Sequence, residues 1–78
     1  MDWKTEEGKL VKEFEFSNFV EATGFVEKIV PLAEKADHHP DILIHSYKKV
    51  KVMIFTHSEN KITEKDYQLA KEIDMIFQ

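Results

Sequence analysis

These 78 residues must fold without a single cysteine, and nothing else in the sequence restricts the outcome as much. A domain of this size buries only about 60% of the surface its unfolded chain exposes. Small folds of this kind are normally held by disulfides, by a metal or by a partner subunit. Without cysteine, disulfides and thiolate metal sites are both excluded. What remains is dense apolar packing in one domain spanning residues 1–78, helped by self-association, so a homodimer or homotetramer is expected.

Charge narrows the partners. The formal net charge is −4, and all 11 basic residues are lysine. Reading of guanine edges and bidentate grip on phosphate normally use arginine, so direct nucleic-acid binding is not expected. Lys48, Lys49 and Lys51 form the one basic cluster, which a turn and a lysine-guarded sheet edge explain. Residues 1–8 lack the apolar core of a signal peptide. No apolar run approaches the roughly 20 residues that span a bilayer. A cytoplasmic protein without membrane contact is the expectation.

The hydrophobic pattern divides the chain into six elements. Two strands, 2–7 and 9–16, meet at Gly8; in the second, Phe14 and Phe16 alternate with Glu13 and Glu15, the period of a half-buried strand. Ser17 is the expected N-cap of a helix from Asn18 to about Ala36. Phe19, Val26, Ile29, Val30 and Ala33 mark its apolar face, and Pro31 is expected to kink or split it. Pro40 pushes His39 out of the helical region, so His38 and His39 fall at a helix exit.

A hairpin follows, with strands 41–47 and 50–57 and its turn at or near Lys48-Lys49. Leu43, Val50, Val52 and Ile54 are grouped on one face and Ile42, Ile44, Met53 and Phe55 on the other, with the register open by one residue. Apolar residues on both faces predict a sheet covered on both sides, by helices on one and by a second subunit or ligand cleft on the other. Thr63-Glu64-Lys65-Asp66 matches a capping box, opening a helix with Tyr67, Leu69, Ala70, Ile73 and Phe77. The order ββαββα predicts an α+β fold, a two-layer sandwich with two helices on one face of a four-stranded antiparallel sheet.

All four histidines lie between positions 38 and 57. Histidine alone has an unperturbed pKa near physiological pH, about 6.5, so a group of them in a cleft suits general acid–base work. Each also has a structural explanation. His38-His39 fits a helix C-terminus, His57 fits a solvated strand end, and His45 fits a sheet rim. Zinc needs three such ligands converging, but adjacent histidines chelate one ion poorly and no helical pair has the four-residue metalloprotease spacing. No metal is expected. There is no nucleophile elbow and no glycine-rich phosphate loop.

The pattern Glu34-x3-His38-His39-Pro40-x6-Tyr47-x9-His57-x8-Asp66 resembles the signature of the pterin-4a-carbinolamine dehydratase family, and the likeness extends over roughly residues 13–74. The resemblance implies the ββαββα fold and dehydration of a 4a-hydroxytetrahydropterin to quinonoid dihydropterin during tetrahydrobiopterin recycling. It implies a hydro-lyase with no cofactor. His38 and His57 are implied as the proton-transfer pair, with His39 positioning substrate or sharing the acid role. Glu34 and Asp37 would orient the histidines or touch the pterin. Thr56 would contact substrate through its backbone, and Asp66 would support His57. Helix-surface exposure for Glu34, sheet packing for Tyr47 and the capping box for Asp66 are competing explanations. Animal members also serve as dimerisation cofactors of a homeodomain transcription factor, so a protein-interaction module is the alternative. A dehydratase of another pterin and a small metal-binding protein are further ones. The family usually has a helix before the first strand, whereas the match here starts near Trp3. Its loop after the third histidine often contains glycine, absent from Ser58-Glu59-Asn60-Lys61-Ile62.

Overall fold

A computed structural model describes residues 2–77. The elements are β1 (Lys4–Glu6), β2 (Lys9–Glu15), α1 (Phe19–Ala36), β3 (Asp41–His45), β4 (Lys49–Ile54) and α2 (Glu64–Ile76). The strands form one antiparallel sheet in the order β1-β2-β4-β3. This is the expected ββαββα architecture, with each strand shorter than the expected 2–7, 9–16, 41–47 and 50–57.

Glu7 and Gly8 close the first hairpin, both at positive φ (50° and 78°). Two such residues between paired strands match the right-handed strand twist, and Gly8 adopts that conformation without a Cβ penalty. The second hairpin turns over Ser46–Lys48, slightly before the expected Lys48-Lys49, with Ser46 and Tyr47 at φ 51° and 52°. Tyr47 is therefore exposed on a turn and not packed on the sheet.

Register corrects the face assignment. Ile42 pairs with Val52 and Ile44 with Val50, whereas Leu43 pairs with Lys51. Cross-strand partners share a face, so Ile42 and Ile44 join Val50, Val52 and Ile54 beneath the helices. Leu43 belongs to the opposite face, with Val11 and Met53 among Lys9, Glu13, Glu15, Lys49 and Lys51. That face is a mixed one, not the second apolar layer expected. A one-residue slip in β3 produced the error, because isoleucine and leucine alternate there without a polar marker.

The core joins Leu10, Phe14, Val50, Val52 and Ile54 of the sheet to Ala22, Phe25 and Ile29 of α1 and Leu69, Ala70 and Ile73 of α2. Phe14, Phe16, Phe25 and Phe77 cluster with ring centroids 4.8–5.8 Å apart. The buried stripe of α1 is Ala22, Phe25, Ile29 and Ala33, while Phe19 and Val30 are 54% and 52% exposed. The expected face was thus rotated, and Phe25 was missed. Asn18, not Ser17, caps α1: its side chain accepts from Glu21 N–H at 2.8 Å, and Glu21 accepts from Ser17 N–H at 3.0 Å. Pro31 neither splits nor ends α1. Pro31 and Glu27, whose carbonyl loses its donor, are both exposed residues.

At the other end, Trp3 Nε1–H donates to the Asp74 carboxylate at 3.0 and 3.1 Å, and Lys12 Nζ meets it at 2.8 Å. These contacts tie β1 and β2 to the last turn of α2. No helix among the described residues is long and apolar enough to cross a membrane.

Candidate active site

The end of α1 aims the histidine pair. Asp37 takes the left-handed conformation (φ 50°, ψ 44°) that usually selects glycine. Its N–H bonds to the Glu34 carbonyl at 3.2 Å, and His38 N–H bonds to the Ala33 carbonyl at 3.1 Å. These two bonds form a Schellman motif. The sharp reversal sends consecutive side chains apart. His38 turns inward and is buried, whereas His39 lies on the surface.

Inside, His38 Nε2 meets Asp66 Oδ1 at 2.5 Å. Asp66 is fully buried. Its Oδ2 accepts from Thr63 N–H at 2.7 Å and from Thr56 Oγ1 at 2.9 Å. Asp66 is the third residue of α2, so its capping-box role and its contact with His38 use different oxygens of one carboxylate. The two explanations offered by the sequence are compatible. Its partner, however, is His38 and not His57. Both donors go to Oδ2, so Oδ1 is the oxygen left to meet His38 Nε2. With Asp66 Oδ1 as the acceptor, the ring proton lies on His38 Nε2, and Nδ1 is the unprotonated nitrogen of the neutral ring.

His38 lines a cleft of about 340 Å³ with Ala36, Glu64, Lys65, Gln68, Leu69 and Glu72. Of the α2 residues here, Glu64, Lys65 and Leu69 were read only as capping-box and helix-face residues, and Gln68 and Glu72 were not singled out. Their signal was the helix start set by the capping box together with four-residue spacing, which puts Glu64, Gln68 and Glu72 on one face. His39 Nε2 bonds instead to Glu34 Oε2 at 2.6 Å in an exposed pair. It borders a separate, mostly apolar hollow of about 250 Å³ with Ile29, Val30, Ala33, Pro40 and Ile42. Asp37 is exposed and shapes the site through its backbone.

β4 ends at Ile54, earlier than the expected residue 57, and Thr56 pairs with Lys61 across a tight turn. Thr56 N–H donates to the Lys61 carbonyl at 3.0 Å. The Thr56 carbonyl accepts from Glu59 and Lys61 N–H at 3.2 and 3.3 Å. Its backbone is therefore occupied within the turn, and the hydroxyl is the group that reaches the site. Asn60 adopts φ 54° and supplies the left-handed residue without glycine. His57 begins this turn, exposed, its ring 4.3 Å from that of Phe55. The chain thus unites buried His38, Thr56 and Asp66 with half-buried Thr63 in one network, pairs His39 with Glu34, and leaves His57 exposed on the turn that Thr56 opens. His45 bonds to Glu13 at 2.7 Å on the open sheet face, the rim position expected for it.

Fold and cleft define a small α+β protein with an imidazole and carboxylate side chains gathered around a cleft at the junction of two helix ends. The chain belongs to the pterin 4 alpha carbinolamine dehydratase family, whose model matches residues 1–76. It is 49% identical over 74 residues to a provisionally named pterin-4-alpha-carbinolamine dehydratase of Sulfolobus acidocaldarius, covering 95% of this chain and 80% of that protein. A relative of Picosynechococcus sp., named in the same way, is 47% identical over 75 residues, covering 96% and 80%. The crystal structure of a transcriptional coactivator/pterin dehydratase from Brucella melitensis superposes with TM-score 0.90 at 35% identity, covering 97% of this chain and 82% of that one. A pterin dehydratase-like protein described as a RuBisCO assembly factor in the alpha-carboxysome shares the fold, with TM-score 0.81 at 19% identity over 99% of this chain and 90% of its own.

Proposed function

We propose that this protein is a hydro-lyase that converts a 4a-hydroxytetrahydropterin to quinonoid dihydropterin and water, as in tetrahydrobiopterin recycling. The reaction breaks the C4a–O bond, protonates the departing hydroxyl and removes the proton from the neighbouring ring nitrogen. It needs one acid and one base working near neutral pH and no organic cofactor. The observation that carries this proposal is the buried pair of His38 with the Asp66 carboxylate beside an open cleft. It gives one imidazole a fixed orientation and a defined free nitrogen. General acid–base assistance of this kind contributes roughly 100- to 10,000-fold.

In this scheme His38 exchanges a proton with substrate through Nδ1. His57 is the second proton-transfer group, delivered from its turn, and His39, oriented by Glu34, positions the pterin. Asp37 fixes the directions of the histidine pair. The test is absorbance-monitored dehydration of freshly generated 4a-hydroxytetrahydropterin, with His38→Ala and His57→Ala as controls. Acceleration lost in both variants supports the assignment. A wild-type rate equal to the spontaneous one refutes it.

The Brucella melitensis relative, whose name includes a coactivator, favours a second reading as a protein-interaction module. Self-association suits both readings, because the open sheet face and exposed Phe19, Val20 and Val30 of α1 lack cover in one chain. A homodimer or homotetramer follows from this proposal, and a monomeric mass at micromolar concentration would overturn it.

A further inference from the structure

The Asp66 carboxylate ends a chain of hydrogen bonds that the sequence did not indicate. Thr56 and Thr63 hydroxyl oxygens lie 2.7 Å apart, and Thr56 Oγ1 is 2.9 Å from Asp66 Oδ2. Each hydroxyl has one proton to give. Thr56 Oγ1 gives its own to Asp66 Oδ2. The contact between the two hydroxyls then requires Thr63 to donate to Thr56. Thr63 Oγ1 in turn accepts from Lys65 N–H at 3.3 Å. Donation therefore runs in one direction: Lys65 N–H, Thr63, Thr56, Asp66.

We infer that the Thr56 and Thr63 hydroxyls are positioning residues for His38. They hold the Asp66 carboxylate with Oδ1 turned to the imidazole, which keeps the ring proton on Nε2 and leaves Nδ1 as the nitrogen for proton exchange. Neither hydroxyl needs to touch substrate. Thr56 is buried at 3% exposure, and its backbone is already bonded within the turn. The inference deepens the dehydratase proposal and rests on it for its kinetic consequence only.

The test uses the full chain and the variants Thr56→Val, Thr56→Ser and Thr63→Gly. The ¹⁵N and ¹H resonances of the His38 ring report its tautomer and the exchange of the Nε2 proton without substrate. Dehydration kinetics report kcat and KM. Thr56→Val should speed exchange of that proton and lower kcat about tenfold with KM little changed, the scale of one hydrogen bond to a charged group. Thr56→Ser should restore both. If Thr56→Val does not fold, Thr63→Gly carries the same test, since glycine is a tolerated N-cap and lacks the donor to Thr56. Unchanged exchange and kcat in a folded Thr56→Val or Thr63→Gly protein would overturn the inference, as would failure of Thr56→Ser to rescue. If the wild type shows no dehydration, the dehydratase proposal fails, and the ring resonances alone still decide the positioning role.

Discussion

Replacing Asp66 by asparagine changes one atom of the site and reverses its proton inventory. Thr63 N–H and Thr56 Oγ1 both point at Oδ2, from 2.7 and 2.9 Å. The asparagine carbonyl oxygen therefore takes that position, and its amide nitrogen falls opposite His38 Nε2. An amide N–H cannot face a protonated ring nitrogen, so the His38 proton moves to Nδ1. The nitrogen proposed to act as base then becomes a donor. An analogous aspartate-to-asparagine change in a serine protease triad lowers kcat about 10⁴-fold through the wrong tautomer. Here His38 is one of two proton-transfer groups, so a fall of about 100- to 1,000-fold is expected, or about 2.7–4.1 kcal/mol at 1.36 kcal/mol per tenfold. The capping bonds survive, and only a charge-assisted bond becomes a neutral one. The stability loss should therefore stay near 1 kcal/mol, or roughly 4–8 °C in Tm for a domain of this size. Steady-state dehydration, thermal unfolding and ¹⁵N shifts of the His38 ring check the three parts. Activity within about threefold of wild type, in a protein whose tautomer has switched, would refute His38 as the base.

Other perturbations separate scaffold from site. Asp37→Gly should stabilise the fold by about 0.5–1 kcal/mol, because Asp37 occupies a left-handed position; a lower melting temperature would contradict this. His39→Ala should change stability by less than about 1 kcal/mol, since the Glu34 pair is exposed, while raising KM more than it lowers kcat. Asp74→Ala should destabilise by about 1–3 kcal/mol in urea titration, because it removes the shared acceptor of Trp3 and Lys12. Ile54→Ala, at a fully buried position opposite Leu10, should lose about 2–5 kcal/mol and leave much of the protein unfolded by circular dichroism.

Element order was legible because turn chemistry and periodicity agreed at each junction. Gly8 parts two strands, and the Pro40 boundary and the Thr63 capping box each mark a change between helical and strand period. Faces were less legible. In β3 both alternating sets are apolar, so only pairing with Val50 and Val52 reveals which side is covered. In α1 the exposed Phe19 and Val30 outweighed Phe25 by hydrophobicity, though Phe25 lies beneath Phe14 and Phe16. The candidate residues were legible as types at spacings, but their partners were not. Asp66 reaches His38 across 28 positions, and no local pattern distinguishes that contact from one with His57.

The same bonds that end one helix and begin the next also orient the candidate site. The Schellman turn of α1 fixes His38, and the capping box of α2 fixes Asp66. A residue that secures either helix end therefore also sets a side chain's direction, and its replacement should move stability and turnover together. Replacement at the far end, where Asp74 secures α2, should move stability alone. This contrast gives a way to divide function from folding in a chain of 78 residues. Substitutions that lower Tm equally but lie at opposite ends of α2 should differ in kcat. Equal losses of kcat per degree of Tm at both ends would mean that general loosening, and not the geometry around His38, limits turnover.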